Sequence, residues 1–132
     1  MIARIRHHRD RRGAGWQTIE APFDPAPALE GGAGAVTLLD CATLWLSNHL
    51  LRGGDLAAEA GRLLAALAAA PGPVIVVTNE VGCGIVPENA LARRFRDEQG
   101  RLNQQLASAA DLVVVVIAGL PLVLKGRMPA PP

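Results

Sequence analysis

Apolar positions along the chain fall into two patterns: short unbroken runs, and longer stretches in which they return every three or four residues. Val36-Thr37-Leu38-Leu39-Asp40 and Val74-Ile75-Val76-Val77-Thr78 are runs of the first kind. They predict buried strands, and the β-branched second one suits a sheet covered on both faces. Between them the helical spacing predicts a helix over Ala42–Leu51, stopped by Gly53-Gly54. A second helix should run from an Asp55 N-cap to Ala70, where Pro71-Gly72-Pro73 ends it. The glycine-bearing loop NEVGCGIV (79–86) follows, and Pro87 is expected in the first turn of a third helix. Leu91, Phe95, Leu102 and Leu106 carry its apolar stripe to about Ala110. Gly100 lies inside that helix at a cost of about 1 kcal/mol, which predicts a close approach at that point.

The ends of the chain are read more coarsely. Residues 1–12 resemble the end of a helix entering a basic loop, which Gly13 and Gly15 break. Trp16-Gln17-Thr18-Ile19-Glu20 alternates like a short strand. Pro22, Pro25 and Pro27 mark a turn, and residues 31–35 form a flexible connector. Leu112–Ile117 is the last expected strand. The apolar run Leu112–Leu124 spans 13 residues and contains Gly119 and Pro121. A membrane span needs about 20 residues, so the run reads as a buried strand and its exit loop. Strands alternating with helices predict an α/β fold with a mostly parallel sheet and helices on both faces. One domain over residues 1–128 and a disordered tail at 129–132 account for the chain.

Composition narrows the class. The 132 residues are 50% hydrophobic, 3% aromatic and 19% charged, a balance that excludes intrinsic disorder. The net charge is +1, but the first twelve residues hold five Arg and one Asp, a local +4 that leaves −3 for the remainder. Two cysteines, Cys41 and Cys83, make no disulfide framework. The basic start is followed by polar residues, unlike a secretory leader. A soluble cytoplasmic protein is expected.

Several residues carry candidate chemistry. In an open α/β sheet ligands bind beyond the carboxyl ends of the strands. Asp40 ends one expected strand, and Asn79-Glu80 ends another. A strand-end acid can hold a Mg²⁺-bound water beside bound phosphates; it can also simply cap the following helix. His7 and His8, within RIRHHRDRR, suit a metal fragment, a solvated basic face or a nucleophile beside a triphosphate. No Cys/His spacing completes a metal site. Arginines without interleaved aromatics make little case for nucleic-acid binding. The glycines beside Cys83 suit close backbone approach to a ligand or a tight strand-to-helix turn, and nothing else nearby marks Cys83 as a reactive thiol. Arg93, Arg94, Arg96 and Arg101 read as a solvated face, with Asp97 four residues from both Arg93 and Arg101.

Together the strings ARIRHHRDRR, W-x-T-I-E-A-P, LLDCATLWLSN, VIVVTNEVGCGIVPENALARRFRDEQGRLNQQLA and VVVIAGLPLVLK resemble the bifunctional adenosylcobinamide kinase/adenosylcobinamide-phosphate guanylyltransferase family. The resemblance covers essentially the whole chain in order. It implies a P-loop NTPase-like, RecA-type domain acting in cobalamin biosynthesis, using ATP, GTP and Mg²⁺. Such an enzyme phosphorylates adenosylcobinamide, then transfers GMP to the product through a GMP–histidine intermediate. The resemblance places the nucleophile at His7 and the nucleotide-binding residues at His8, Arg9, Asp10, Arg11, Glu20 and Asp40, with Asp40 also at the metal. It further implies a homo-oligomer, a trimer, with adenosylcobinamide, its phosphate and GTP as partners and no nucleic acid.

The resemblance departs at one point. The family opens with a strand, a phosphate loop of the GG-A-R-S-G-K-S type and its helix. No such string occurs here, and the only lysine is Lys125. A P-loop grips the β- and γ-phosphates with backbone N–H groups and its Lys. The expectation is therefore a family member whose first strand, P-loop and helix are missing through a mis-assigned start or a truncated gene. An inactive remnant that binds only corrinoid or partner subunits is the alternative.

Overall fold

The computed structural model describes residues 14–32 and 34–130. Among the described residues the first element is a short helix, α1 (Ala26–Glu30). Strand β1 (Thr37–Asp40) then leads into helices α2 (Ala42–Arg52) and α3 (Leu56–Ala69), and β2 (Val74–Val77) follows. A long helix, α4 (Ala90–Ala109), precedes the strands β3 (Val113–Ile117) and β4 (Leu120–Lys125). β1 and β2 pair in parallel, with Thr37 opposite Val74 and Asp40 opposite Val77. β3 and β4 pair antiparallel as a separate two-stranded sheet. The described residues are thus mixed α/β, with one small parallel sheet and a separate antiparallel pair, where a mostly parallel sheet was expected.

The helix boundaries follow local chemistry. Gly53, at φ 76°, ends α2 in the left-handed conformation that glycine adopts without a Cβ penalty. Asp55 caps α3 as expected, its carboxylate accepting from the amides of Ala57 and Ala58, both at 3.1 Å. At α4 the cap is Asn89, accepting from Leu91 N at 2.8 Å and Ala92 N at 3.1 Å. Pro87 therefore lies before the helix and not in its first turn: a side-chain acceptor two residues later satisfies the orphan amides. The proline-rich stretch expected as a turn contains α1, with Pro at its first positions, where no N–H is needed. Trp16–Glu20 forms no strand, because no neighbouring strand pairs with it among the described residues.

The exit loop expected after β3 is in fact a hairpin. Ala118 and Gly119 both take positive φ, 53° and 78°. That is the two-residue turn whose twist matches a β-hairpin. Pro121 belongs to β4, where an edge strand tolerates the missing donor. Lys125 fastens the hairpin to α4: its ammonium donates to Ala107 O at 3.1 Å and Ser108 O at 2.9 Å, carbonyls of the last helical turn. At Gly126, φ 76°, a Cβ would collide with the carbonyl oxygen of Asp111.

The core lies where α2, α3 and α4 meet over one face of the parallel pair. Trp45, Leu46 and Leu50 of α2 pack with Leu56, Ala60 and Leu63 of α3 and Leu102 and Leu106 of α4. Leu39 and Val76, opposite one another in the sheet, close the cluster from below. The other face of β2 is uncovered among the described residues, with Ile75 54% exposed. The expectation of cover on both faces is met on one.

On α4 the buried stripe runs Phe95, Gln99, Leu102, Asn103, Leu106, while Leu91 is exposed. The stripe thus begins one turn later than the apolar spacing implies and includes two amides. Gly100 marks no close approach: a Cβ there would meet nothing within 4 Å. Neighbouring positions on α4 should therefore respond with opposite signs. Leu102→Ala empties a site 1% exposed and is expected to cost about 2–5 kcal/mol. Gly100→Ala should gain about 0.5–1 kcal/mol from reduced chain entropy. Urea unfolding of the two variants beside wild type measures both.

Candidate functional site at the carboxyl edge of the parallel strands

Because β1 and β2 are parallel and in register, their carboxyl ends open at the same edge. Asp40 is the last residue of β1 and is exposed. Thr78, Asn79 and Glu80 continue from β2. The N-cap position of α2 belongs to Cys41, so Asp40 stands one residue before the cap. The plain capping role weighed for Asp40 is not the one its position gives.

A relay of side chains fixes this edge from below. Thr78 Oγ1 donates to Asn103 Oδ1 at 2.7 Å and accepts from Gln99 Nε2 at 2.9 Å. Gln99 Nε2 also donates to Asn103 Oδ1 at 2.8 Å. With its acceptor so used, Asn103 turns its amide nitrogen outward, to the backbone carbonyl of Asn79 at 3.1 Å and to Glu80 Oε1 at 2.7 Å. Thr43, in the first turn of α2, completes the arrangement. Its hydroxyl accepts from Asn79 N at 2.9 Å and Asn79 Nδ2 at 3.1 Å, and lies 3.4 Å from Thr78 Oγ1. The exits of both strands and the middle of α4 are thereby tied together. Gln99 is fully buried, and its Oε1 has no partner among the described residues.

Sequence reasoning singled out Asp40 and Glu80 but missed Thr43, Thr78, Gln99 and Asn103. A signal was present: Gln99 and Asn103 are spaced i, i+4 within an otherwise apolar stripe, and a buried amide needs partners.

The loop after Glu80 is held by arginines of α4. Arg96 Nη2 donates to Gly82 O at 2.6 Å, and Arg93 Nη1 donates to the carbonyls of Pro87, at 3.0 Å, and Glu88. The arginine face is therefore partly a clamp on the loop and not only a solvated surface. Arg101 pairs with Glu98, three residues away, at 2.8 Å, and not with Asp97. Gly82, Arg96, Asp97, Gly100, Arg101 and Gln104 line an open hollow of about 520 Å³. Cys83 is exposed on the same loop.

Glu20 is exposed on an irregular segment anchored just downstream. Trp45 Nε1 donates to Phe23 O at 2.8 Å, and His49 Nε2 donates to the same oxygen at 3.0 Å. Asn48 Nδ2 donates to Pro22 O at 3.0 Å. His7, His8, Arg9, Asp10 and Arg11 lie outside the described residues. Among the described residues no group of three or more His, Cys, Asp or Glu is gathered to hold a metal ion, and no helix is long and apolar enough to cross a membrane.

Three relatives bear on this site. The chain is 46% identical over 131 residues to the bifunctional adenosylcobalamin biosynthesis protein CobP of Pseudomonas aeruginosa, a match covering 96% of this chain and 76% of that protein. It is 42% identical over 142 residues to the bifunctional adenosylcobalamin biosynthesis proteins CobU of Escherichia coli and of Salmonella typhimurium, covering 95% of this chain and 78% of each. Residues 1–124 match the family profile described as cobinamide kinase / cobinamide phosphate guanyltransferase. That match runs through the NEVGCGIVPEN loop and the α4 stripe on which the strand-end relay is built, and the chain belongs to the cobinamide kinase/cobinamide phosphate guanylyltransferase family.

Proposed function

We propose that this chain acts in adenosylcobalamin biosynthesis, phosphorylating adenosylcobinamide and then transferring GMP from GTP to the resulting phosphate. The match over residues 1–124 carries this reading. It is supported by a strand edge that presents Asp40 at the end of β1 beside the exit of the parallel strand β2, where α/β sheets bind nucleotides.

In the guanylyl-transfer half, neutral His7 attacks the α-phosphorus of GTP. The imidazole N–P bond forms, the bond to pyrophosphate breaks, and a GMP–histidine intermediate results. The phosphate of adenosylcobinamide phosphate then displaces the histidine, giving adenosylcobinamide-GDP. His8, Arg9, Asp10, Arg11 and Glu20 bind the nucleotide, the arginines offsetting charge that develops on phosphate.

Mg²⁺ suits the strand edge. It takes one or two carboxylates, keeps several waters and completes its shell with substrate phosphates, so it needs no dedicated cage. The exposed carboxylate of Asp40 would hold it through oxygen. When bound, it neutralises charge on the nucleotide phosphates.

The two small sheets belong, in this reading, to one RecA-type sheet with ATP and GTP bound at its edge. β2 and β3 each pair on one side only among the described residues. No GG-x-R-S-G-K-S string lies in the 132 residues, so the strand and phosphate loop that this architecture needs would come from sequence outside them. A second reading is an inactive form that keeps only corrinoid or subunit binding. A cytoplasmic homo-oligomer, a trimer, completes the proposal.

Two experiments test it. With α-labelled GTP, the protein expressed with its upstream coding sequence should acquire an acid-labile, base-stable label, as a phosphoramidate does. His7→Ala should abolish the label, while His8→Ala keeps part of it. Label persisting in His7→Ala would overturn the assignment, and label on the 132 residues alone would remove the need for an added phosphate loop. Asp40→Asn in the same protein should lower Mg²⁺-dependent turnover by about 10²–10³ with folding unchanged by circular dichroism. Normal turnover would free Asp40 of its metal role.

A further inference from the structure

The relay beneath the strand edge has a consequence for catalysis. We propose that Glu80 is the carboxylate that orients and deprotonates the acceptor hydroxyl in phosphoryl transfer, and that Asn103 is its positioning residue. The inference rests on the kinase half of the function proposed above.

Four observations carry it. Glu80 leaves β2 beside the exit of β1, so it stands at the same edge as Asp40 and not behind it. It is exposed, yet one of its oxygens, Oε1, is fixed at 2.7 Å by Asn103 Nδ2. The backbone before it is held twice, by Asn103 at Asn79 O and by Thr43 at Asn79 N. Asn103 in turn has no freedom to flip: its Oδ1 accepts from both Thr78 and Gln99, which forces its amide hydrogens toward Glu80.

A solvated glutamate on a loop loses side-chain entropy when held in one geometry, so a buried amide spent on holding it suits a directed role. Placing two buried amides and a half-buried hydroxyl under one exposed carboxylate also carries risk, because an unmade bond in such a network costs about 1–3 kcal/mol. Gln99 Oε1 is already without a partner among the described residues.

The chemistry divides between the two acids. In phosphoryl transfer the acceptor oxygen bonds to the γ-phosphorus of the nucleoside triphosphate as the bridging P–O bond to the β-phosphate breaks. The nucleoside diphosphate leaves, and the hydroxyl proton passes to Glu80 and then to water. Guanylylation has no such need. The imidazole attacks through a lone pair, and a phosphate monoester is already an anionic nucleophile. Glu80 should therefore matter to one half-reaction only.

The test follows both halves in one protein, expressed with its upstream coding sequence, with adenosylcobinamide, ATP and Mg²⁺ for the kinase step and α-labelled GTP for histidine labelling. Glu80→Gln is expected to lower the kinase kcat by about 10²–10⁴, with GMP labelling at the wild-type rate. Asn103→Asp keeps an acceptor for Thr78 and Gln99 but puts a carboxylate oxygen where the amide hydrogens faced Glu80, turning the attraction into repulsion. It should lower the same kcat, and the double variant should be no worse than Glu80→Gln alone, since both remove one interaction. Wild-type kinase turnover in Glu80→Gln, or equal loss of both half-reactions, would overturn the role given to Glu80. Additive losses in the double variant would reduce Asn103 to a structural residue. Should Asn103→Asp fail to fold by circular dichroism, Thr43→Val, which frees Asn79 from the other side, must show the same selective loss. Wild-type protein lacking both activities would instead refute the proposed function, a result distinct from any of these.

Discussion

The hydroxyl of Thr78 is the junction on which the functional edge depends. It sits one residue beyond β2, donates to Asn103, accepts from Gln99 and lies beside the hydroxyl of Thr43. Through these contacts one oxygen links the parallel sheet to α4 and to the start of α2. Such links are worth little in water, where each bond replaces one to solvent. In a buried setting the penalty for leaving a partner unmade is larger than the net gain from making it. The relay therefore specifies one arrangement of the two strand exits more than it stabilises the fold as a whole.

A second anchor works on the other flank of α2. The carbonyl oxygen of Phe23 accepts from Trp45 and His49 together, using both its lone pairs. The rings of Phe23 and His49 meet edge to face at 5.5 Å, and Arg52 lies over the Phe23 ring at 4.9 Å. An irregular segment is thus held against a helix without secondary structure of its own, and Glu20 rides just upstream of that grip. α2 consequently serves both sides of the site: its first turn holds Asn79 through Thr43, and its middle holds the segment after Glu20.

Hydrophobic burial explains the three-helix layer but leaves other surfaces apolar and open. Ile75 on β2, and Val116, Ile117, Leu120 and Leu124 on the hairpin, are all more than half exposed. The two strand pairs share no ladder. Joining the two pairs in one sheet, as proposed above, would satisfy the open edges of β2 and β3, which is the physical attraction of that reading.

The sequence by itself determined the local elements and the identity of the family. Strands ending at Asp40 and near Thr78, the Asp55 cap, the Gly53 stop and the long helix to about residue 110 were all legible, because each depends on neighbours close in the chain. Family membership was legible for a similar reason, since a long ordered string such as NEVGCGIVPEN needs no geometry to be matched. The hairpin was hidden because Pro121 argues against a strand unless the strand is known to be an edge. The cover on β2, the loop-clamping role of Arg93 and Arg96 and the pairing of Arg101 with Glu98 depended on which surfaces meet. Most of all, Gln99 and Asn103 read as polar breaks in an apolar stripe. Only packing α4 beneath β2 gave them partners 21 and 25 residues away in Thr78, and so turned two buried amides into the support of the strand edge.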